Sequence, residues 1–332
     1  MPCRRVDADD VAAVEAVCAI RNAARLVDDP SGHPDLPALL PGWLRYGWDL
    51  DPVQLYLYTP EGADHPVGAF LLGLPQRDNR DLAWIGGDVH PACRRRGHGS
   101  AMMASGLELI RGAGRHTVWA SAVADSEGPS AYLQGFGFRA ASQDARRVQR
   151  ISEVDWAEVD RLDRDAALAA ADYELVRTVA PTQDDVLVAL IEVSAAINDA
   201  PHGELSEEPQ IYDVQRLRDL ETAAAGRGDT VYRVFARHRD TGEIGGHTMT
   251  VVNPLSAAHS DQGDTAVARP HRGHRLGLRL KIDMMRWLAE VEPELETLRT
   301  FNNADNHFMI DVNEALGYRL SNLFTVFELH LS

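Results

Sequence analysis

The sequence feature that most limits the fold of this chain is an internal duplication. Four landmarks occur twice in the same order, at offsets of 175, 178, 178 and 180 residues. Each copy opens with a strand and a helix and continues with a strand pair. An Arg- and Gly-rich turn then precedes a long helix, and a last helix leads into an aromatic strand. Self-similarity of this kind indicates two tandem copies of one folding unit.

Segments typical of strands and of amphipathic helices alternate within each copy. This alternation predicts an α/β (α+β) fold, in which each copy is a mixed, twisted sheet flanked by helices. The polar stretch 155–172, which is rich in Asp and Ala, is predicted to be a helical linker. We therefore expect one domain over 1–154 and another over 173–332, which suits a chain of 332 residues.

Composition excludes several classes of function. The net charge of −17, from 33 basic and 50 acidic residues, would repel a phosphate backbone, so no nucleic-acid partner is expected. No stretch has the roughly 20 apolar residues of a membrane-spanning helix, and residues 1–10 are too polar for a signal peptide, so we expect a cytoplasmic protein without a membrane partner.

Residue usage adds two expectations. The three cysteines have neither the even count of a disulfide framework nor the spacing of a zinc site, so free thiols and no metal are expected. Lys281 is the only lysine, a skew towards arginine that we attribute to the GC-rich coding of an actinobacterial source.

The turn before the long helix is the segment with the clearest chemistry. In the first copy it runs from Val89 to Ser100, with arginines at 94–96 followed by Gly97 and Gly99. A helix N-terminus exposes unpaired N–H groups and carries about half a positive charge, so it can hold a phosphate group. Glycines let the backbone approach that group, and the arginines add positive potential. The segment therefore predicts a pyrophosphate ligand.

The spacing of this turn separates it from other phosphate-binding loops. It lacks the Lys-Ser/Thr pair of a P-loop, and it lacks the third glycine and distant acid of a dinucleotide fingerprint. Arg94, Gly97 and Gly99, after Val89, match the signature Arg/Gln-x-x-Gly-x-Gly/Ala. In this respect the chain resembles the GCN5-related N-acetyltransferases (GNATs), and the resemblance implies their fold and an acetyl-CoA site.

A second motif of that family stands near the end of each copy. The helix before the Leu-Gly-Tyr sequence at 316–318 carries Asn306 at the family's cofactor-facing Asn position, and Ser126 takes this place before Phe-Gly-Phe at 136–138. Together the copies look like the tandem acetyltransferases of actinobacteria, some of which belong to antibiotic clusters such as that for clavulanic acid. The resemblance covers nearly the whole chain and implies one acetyl-CoA, the acyl donor, per domain.

The resemblance also implies which residues contact acetyl-CoA. In the first copy they are Val89, Arg94, Arg95, Arg96, Gly97, His98, Gly99, Ser100 and Ser126. In the second copy they are Val267, Arg272, Gly273, His274, Arg275, Leu276, Gly277, Leu278 and Asn306. Arg275 stands where the family usually has its middle glycine, so its side chain must point away from the phosphate or across it.

The family's frequent general acid is absent from both copies. A Tyr is usual five residues before the final aromatic, and Leu133 and Asn313 take that place here. Tyr132 lies one residue earlier, about 100° round the helix, where a packed aromatic is the alternative interpretation. Tyr132 and Asn313 are therefore the candidates for the acid position.

An attacking ammonium must first lose a proton, so a base is needed. The candidates are Asp88 and Asp264 on corresponding strands, although each also fits a solvated carboxylate at a strand end. The constant offset aligns Asp264 with Gly86, so the two copies do not share one base. By the resemblance, a strand N–H near Val89 or Val267 would polarise the thioester carbonyl.

These motifs predict acetyl transfer to the amine of a small molecule, in secondary metabolism or in antibiotic biosynthesis or modification. Direct attack in a ternary complex is expected because no acyl-accepting nucleophile stands out. A non-catalytic acyl-CoA-binding or sensing protein, with one or both domains degenerate, is the main alternative. A phosphate-binding nucleotide enzyme is a third. A monomer or homodimer is expected.

Overall fold

The computed structural model of the chain describes residues 2–124 and 126–331. The helices are α1 (Val11–Asp28), α2 (Leu40–Tyr46), α3 (His98–Gly112), α4 (Glu127–Gly135), α5 (Trp156–Ala169), α6 (Asp184–Ala195), α7 (Val214–Arg227), α8 (Leu276–Val291) and α9 (His307–Ala315). The strands are β1 (Cys3–Arg5), β2 (Gln54–Tyr58), β3 (Gly68–Gly73), β4 (Leu82–Val89), β5 (Thr117–Val123), β6 (Arg139–Arg150), β7 (Tyr173–Val179), β8 (Thr230–His238), β9 (Ile244–Val252), β10 (His259–Val267), β11 (Thr297–Asn303) and β12 (Arg319–His330).

The chain forms two compact units that are not continuous in sequence. The first consists of Met1–Gln143, Gly203–Glu208 and Asn322–Ser332, and the second of Asp144–His202 and Pro209–Ser321. These units differ from the domains predicted over 1–154 and 173–332, because most of β12 completes the first sheet and most of β6 the second. The predicted linker 155–172 does form a helix, but that helix is part of the second unit's core rather than a free connection.

The first unit is a six-stranded mixed sheet with helices on both faces. Its strands lie in the order β1-β2-β3-β4-β5-β12, with β4 and β5 parallel and the other neighbours antiparallel. Helix α3 covers one face, where Met103 lies in the same core as Ile85. Helix α1 covers the other face, where Val17 lies in the same core as Leu57.

The second unit repeats this arrangement. Its strands lie in the order β6-β11-β10-β9-β8-β7, with β10 and β11 parallel and the others antiparallel. Helices α5 and α8 share a core with Tyr318 on one face, and α6 and α7 share a core with Phe235 on the other. The structure therefore has the α/β architecture that the duplication predicts.

Helix α1 shows how the sequence sets these elements locally. The Asp10 side chain accepts a hydrogen bond of 3.0 Å from the N–H of Ala13, which caps the first turn. The buried side chains recur every three or four residues, so one stripe of the helix faces the sheet. They are Ala13, Val14, Val17, Cys18, Ile20 and Ala24.

The two units differ by one inserted residue in the equivalent strands β4 and β10. β4 pairs with β3 in unbroken register, whereas the register of β10 against β9 shifts between Gln262 and Thr265. This shift is a β-bulge, in which one strand has an extra residue. The constant offset that aligned Asp264 with Gly86 therefore does not hold through the bulge. Equivalent residues of β4 and β10 are 177 positions apart before the bulge, as are Trp84 and Asp261, and 178 positions apart after the bulge.

Candidate functional site

In each unit the two parallel strands separate before they end. β4 and β5 pair only from Leu82↔Thr117 to Trp84↔Trp119, while the rest of β4 stays on β3 and the rest of β5 on β12. In the second unit, pairing of β10 with β11 stops in the same way at Asp261↔Arg299. Each sheet therefore contains a V-shaped gap that opens towards the carboxyl ends of its central strands.

Backbone N–H groups point into each gap. The N–H of His90 bonds to the Val67 carbonyl at 2.8 Å, so by the alternation of an antiparallel pair the N–H of Val89 points away from β3. In the second unit the N–H of Ala268 bonds to the Gly245 carbonyl at 3.0 Å, and the N–H of Val267 points away from β9. Both residues predicted to polarise a carbonyl thus direct a main-chain donor into the gap.

The two Arg- and Gly-rich loops have the same backbone conformation despite their different sequences. Two positions in each loop are left-handed: Arg95 (φ 64°) and Gly97 (φ 84°) in the first, Gly273 (φ 87°) and Arg275 (φ 54°) in the second. These positions are equivalent at the offset of 178, with glycine and arginine exchanged. Arg275 therefore forms the same bend as Gly97, although a side chain is strained there.

The first arginine of each loop anchors the loop to the end of the preceding strand. Arg94 Nε donates to the Val89 carbonyl at 3.0 Å, and its terminal nitrogens bind Asp28 at 2.8 and 2.5 Å. Arg272 Nε donates to the Val267 carbonyl at 3.1 Å, and Nη2 binds Asp199 at 2.5 Å. The bonded donors of Arg94 and Arg272 therefore hold the loop, and contact of these two arginines with the cofactor stays a prediction.

The other predicted cofactor residues of the loops differ in exposure. The side chains of Arg95, Arg96 and Ser100 are exposed in the first loop, and that of Arg275 is exposed in the second. The His98 ring packs 5.7 Å from that of Tyr58. In the second loop Gly277 and Leu276 are buried, Leu278 is half-buried, and the His274 ring lies 5.5 Å from that of Tyr173.

The helices that follow the loops begin without side-chain caps. Within the described ranges no side chain caps the N-terminus of α3 or of α8, which have 15 and 16 residues. Helices α2, α4 and α6 also lack such a cap, whereas α1, α5, α7 and α9 are capped by Asp10, Asp155, Asp213 and Asn306. The first-turn N–H groups of α3 and α8, with the positive end of each helix dipole, therefore remain available for an anion such as a pyrophosphate.

The two polar residues predicted to face the cofactor from the last helices both stand at helix starts. Asn306 Oδ1 accepts a hydrogen bond of 3.2 Å from the N–H of Met309, so this oxygen caps α9. Ser126 precedes α4 in an extended conformation and makes no side-chain cap among the residues described. The amide nitrogen of Asn306 and the hydroxyl of Ser126 are therefore left for a cofactor contact.

Asp88 has the environment of a base. It lies two residues after Gly86, on the face of β4 that α1 covers. A Cβ added to Gly86 would have no atom within 4 Å, so this part of the face is open. The pKa of the Asp88 carboxyl is raised to about 6, mainly by burial. The negative charge of Asp28 adds to this rise, and the positive charge of Arg21 opposes it. A carboxylate with a pKa near neutrality, beside open space on the sheet, is suited to accept a proton.

Asp264 has a different environment. It is in the bulge of β10, where burial raises its pKa while Arg233 and Arg216 oppose the rise. Arg233 itself is fully buried and lies 3.4 Å from His247 Nδ1 and 3.9 Å from Glu221. Asp264 thus belongs to a buried ionic group, and the two candidate bases do not occupy equivalent sites.

The candidates for the acid position do not provide a free proton. The Tyr132 hydroxyl donates to the Gly99 carbonyl at 2.7 Å, and burial raises the pKa of Tyr132 to about 12. Asn313 is fully buried and its amide nitrogen donates to Asn302 Oδ1 at 2.7 Å. Tyr132 therefore holds α4 against the loop helix, and Asn313 is an amide without an acidic proton.

Sequence reasoning did not predict that a segment from the second half of the chain completes the first unit. Glu328 on β12 accepts hydrogen bonds from the backbone and hydroxyl of Ser206, at 2.8 and 2.9 Å, and from the Trp119 indole at 2.8 Å. Glu208 pairs with Asn79 through three hydrogen bonds of 2.7–3.1 Å. Nothing in the sequence of segment 203–208 identifies these distant partners.

Comparison with known proteins agrees with this geometry. Residues 18–138 match the family model of the Acetyltransferase (GNAT) family. A mycothiol acetyltransferase of Saccharomonospora viridis is 28% identical over 321 residues, which are 93% of this chain and 92% of that protein.

Solved structures give the same result for the fold. A tandem GNAT protein from the clavulanic acid biosynthesis pathway is 27% identical, with a TM-score of 0.79. The matched region is 99% of this chain and 98% of that protein. A GCN5-related N-acetyltransferase from Sphaerobacter thermophilus is 15% identical, with a TM-score of 0.67, over 99% of this chain and 95% of that protein. This similarity supports the fold alone.

Two kinds of feature are absent from the described residues. Across 2–124 and 126–331, no cluster of His, Cys, Asp and Glu has the arrangement of a metal site. Over the same ranges, no helix combines the length and the apolar character that crossing a bilayer requires.

Proposed function

We propose that this chain, whose residues 18–138 match the GNAT family model and whose whole length resembles a tandem GNAT protein, transfers an acetyl group from acetyl-CoA to the amine of a small molecule. The observation that carries the proposal is the gap between β4 and β5. An uncapped helix N-terminus lies at its loop end, a free main-chain N–H points into it, and Asp88 stands beside it.

The loops fit the phosphate groups of CoA through their backbone. First-turn N–H groups of α3 would hold the pyrophosphate, with Arg95 and Arg96 supplying positive potential at the surface. The left-handed conformations at Arg95 and Gly97 direct the chain around that group. The equivalent loop of the second unit has the same conformation, so we propose one acyl-CoA site per unit.

Asp88 acts as the base in the proposed reaction. It accepts the proton of the incoming ammonium, whose nitrogen then attacks the thioester carbonyl carbon while the carbon–sulfur bond breaks. The N–H of Val89 stabilises the negative charge that develops on the carbonyl oxygen. As the amide forms, the attacking nitrogen loses a second proton, which passes through water to the departing CoA thiolate, since the Tyr132 proton is bound to the Gly99 carbonyl. Asp88 then releases the first proton to solvent, and no covalent acyl-enzyme forms.

The acceptor is proposed to be a small cationic amine. Asp88, Asp28 and Asp35 set three carboxylates against two arginines, Arg21 and Arg94, and this balance favours a cation over an anion when Asp88 is ionised. The names of two relatives, a mycothiol acetyltransferase and a protein of clavulanic acid biosynthesis, support a small-molecule acceptor in secondary metabolism.

The test is release of free CoA from acetyl-CoA across a panel of amines, with Asp88→Asn as the variant. We expect kcat/KM to rise with pH through about 6 as Asp88 loses its proton, and Asp88→Asn to lower it by roughly 10²–10⁴-fold. Asp264→Asn is the matched control and should leave the profile unchanged. Full activity of Asp88→Asn, with the same pH profile, would contradict the assigned base.

One observation favours a second candidate function, a non-catalytic acyl-CoA-binding or sensing protein. Tyr132 has its hydroxyl occupied and Asn313 has no acidic proton, so neither unit has a usual general acid. Binding of acetyl-CoA without turnover of any amine would support the sensor over the enzyme.

A further inference from the structure

Two tryptophans stand on the face of the first sheet that α1 covers, which we call the acceptor face because Asp88 lies on it. Trp84 on β4 and Trp119 on β5 are directly opposite each other in the parallel pair, so their side chains leave the sheet on the same side. Asp88 lies four residues after Trp84, and the unbroken register of β4 puts both on one face. The proposed base and the two indoles therefore share one surface.

The acceptor face is open between the carboxylate and the indoles. Gly86 lies midway between Trp84 and Asp88, and a Cβ there would have no atom within 4 Å. Ser121, two residues after Trp119 on the same face of β5, is exposed as well. Four residues of an extended strand span about 13 Å. An elongated ligand can therefore lie over Gly86 with one end at Asp88 and the other at the indoles.

The two indoles are fixed in place and lean to opposite sides. The Trp84 ring lies over Gly73 on β3, where a Cβ would overlap the ring, so only glycine allows this close approach. The Trp119 ring extends the other way, and its Nε1 donates to Glu328 on β12 at 2.8 Å. Trp84 remains 38% exposed. The acceptor face thus has a rigid aromatic surface at the end where β4 and β5 are paired.

The second unit shows that the fold does not require tryptophan at these positions. By strand pairing, Trp84 and Trp119 are equivalent to Asp261 and Arg299, which are also directly opposite each other. There an ion pair replaces the indoles, with Arg299 Nε and Nη2 donating to the Asp261 carboxylate at 2.5 and 2.8 Å. The architecture that the two units share therefore does not explain the indoles of the first.

The carboxylate beside these indoles is fully engaged. Glu328 accepts hydrogen bonds from Trp119 and, at 2.8 and 2.9 Å, from the N–H and hydroxyl of Ser206, and it lies 3.0 Å from His330 Nε2. Neither of its oxygens is left to bind the hydroxyl groups of a sugar. An aromatic ring needs no hydrogen bonds and gains from stacking against an indole. This end of the acceptor face therefore favours an aromatic ring over a sugar.

We propose that the first unit selects arylalkyl amines as acceptors. Asp88 receives the proton of the ammonium group, the alkyl spacer lies over Gly86, and the terminal ring stacks on the exposed surface of Trp84 with Trp119 beside it. Trp84 is then the residue that determines the class of acceptor. The proposal rests on the proposed function in one respect, which is that Asp88 marks the position of the acceptor nitrogen.

The experiment compares kcat/KM for acetylation of phenylbutylamine, cyclohexylbutylamine, butylamine and glucosamine, measured as release of free CoA. Extended phenylbutylamine, with a hydrogen bond to Asp88, approximates the span from Asp88 to Trp84. We expect phenylbutylamine to exceed cyclohexylbutylamine by about three- to tenfold, which is the contribution of one aromatic pair, and to exceed butylamine by more. Trp84→Ala should bring the ratio of phenylbutylamine to cyclohexylbutylamine to about one, and Trp84→Phe should retain most of it.

Phe301→Ala is the matched control, because it removes an exposed aromatic side chain from β11, the strand of the second unit that is equivalent to β5. It should retain the full preference for phenylbutylamine. A ratio near one in the unaltered chain, a preference that persists in Trp84→Ala, or faster turnover of glucosamine than of phenylbutylamine would overturn the proposal and leave acetyl transfer intact.

Binding without turnover separates this proposal from the proposed function. Calorimetric titration with phenylbutylamine in the presence of free CoA should show an affinity that falls in Trp84→Ala and stays the same in Phe301→Ala. Such binding with no turnover of any amine would support the aromatic site while contradicting acetyl transfer. Absence of both binding and turnover would overturn the two proposals together.

Discussion

Replacement of Lys281 by methionine should stabilise the folded chain in a pH-dependent way. Lys281 is fully buried, and lowering its pKa from the 10.5 of a free side chain to about 7 corresponds to about 5 kcal/mol. Loss of the hydrogen bond to Gln262 Oε1 offsets about 1–3 kcal/mol of this gain. The net stabilisation at pH 6 is therefore expected to be about 2–4 kcal/mol, within the range observed when buried charges are replaced by apolar residues.

The sign of the pH dependence follows from the two pKa values of Lys281. The unfolded chain holds the ammonium proton up to about pH 10, whereas the folded chain releases it near pH 7. Wild-type stability therefore rises relative to the variant between pH 7 and pH 10, and below pH 7 the full cost of the buried charge is present. The advantage of Lys281→Met should shrink steadily from pH 7 to pH 9.

Urea unfolding of both proteins at pH 6, 7.5 and 9, without CoA compounds, measures this difference. Met103→Leu serves as the control for a changed buried side chain and should show no trend with pH. A variant that is less stable than wild type by the same amount at every pH would refute the reasoning. That result would mean that the amine is fully satisfied in the folded chain, so that its burial carries no cost.

The remaining predictions concern the loops and the helix contact. Arg275→Gly should stabilise the chain by up to about 1–2 kcal/mol in thermal unfolding, since it relieves a side chain at φ 54°, and equal stability of this variant and wild type would contradict the strain. Gly97→Val should destabilise the chain by a similar amount in thermal unfolding. It should also weaken CoA binding to the first unit, as measured by calorimetry. Tyr132→Phe should leave the pH profile of kcat unchanged above pH 8 while raising the KM for acetyl-CoA, because its hydroxyl holds the loop helix through the Gly99 carbonyl; loss of the alkaline limb would instead identify it as the acid.

Sequence patterns were sufficient where the chemistry is local. The loop residues Gly97 and Gly273 mark backbone bends that glycine adopts freely, and the apolar strand before each loop predicts its burial. The duplication then placed equivalent elements in both units. These features depend on neighbouring residues, which is why spacing alone located them.

The features that the sequence did not reveal depend on distant partners or on single inserted residues. The bulge at 263–264 changes which way Asp264 points, yet the offset between the copies changes by only one. Tyr132 satisfies the pattern of a packed aromatic whether or not its hydroxyl reaches Gly99. Arg94 has the spacing of a phosphate ligand, but its partner Asp28 lies 66 residues away in the chain.

Allocation of the last strand could not be predicted for the same reason. β6 and β12 follow equivalent helices and have the same length of 12 residues, so each matches the edge of either sheet. Only the pairing of β12 with β5, from Phe324↔Val123 to His330↔Thr117, shows which sheet it completes.

That pairing affects how the protein is made and how it can be divided. A ribosome has released nearly all of the polypeptide before the first sheet acquires its final strand, so until then β5 presents a bare edge on which foreign chains could add. A fragment that ends near residue 170 lacks β12, so its β5 edge stays bare unless β6 takes that place. Each sheet therefore takes its last strand from the other half of the chain.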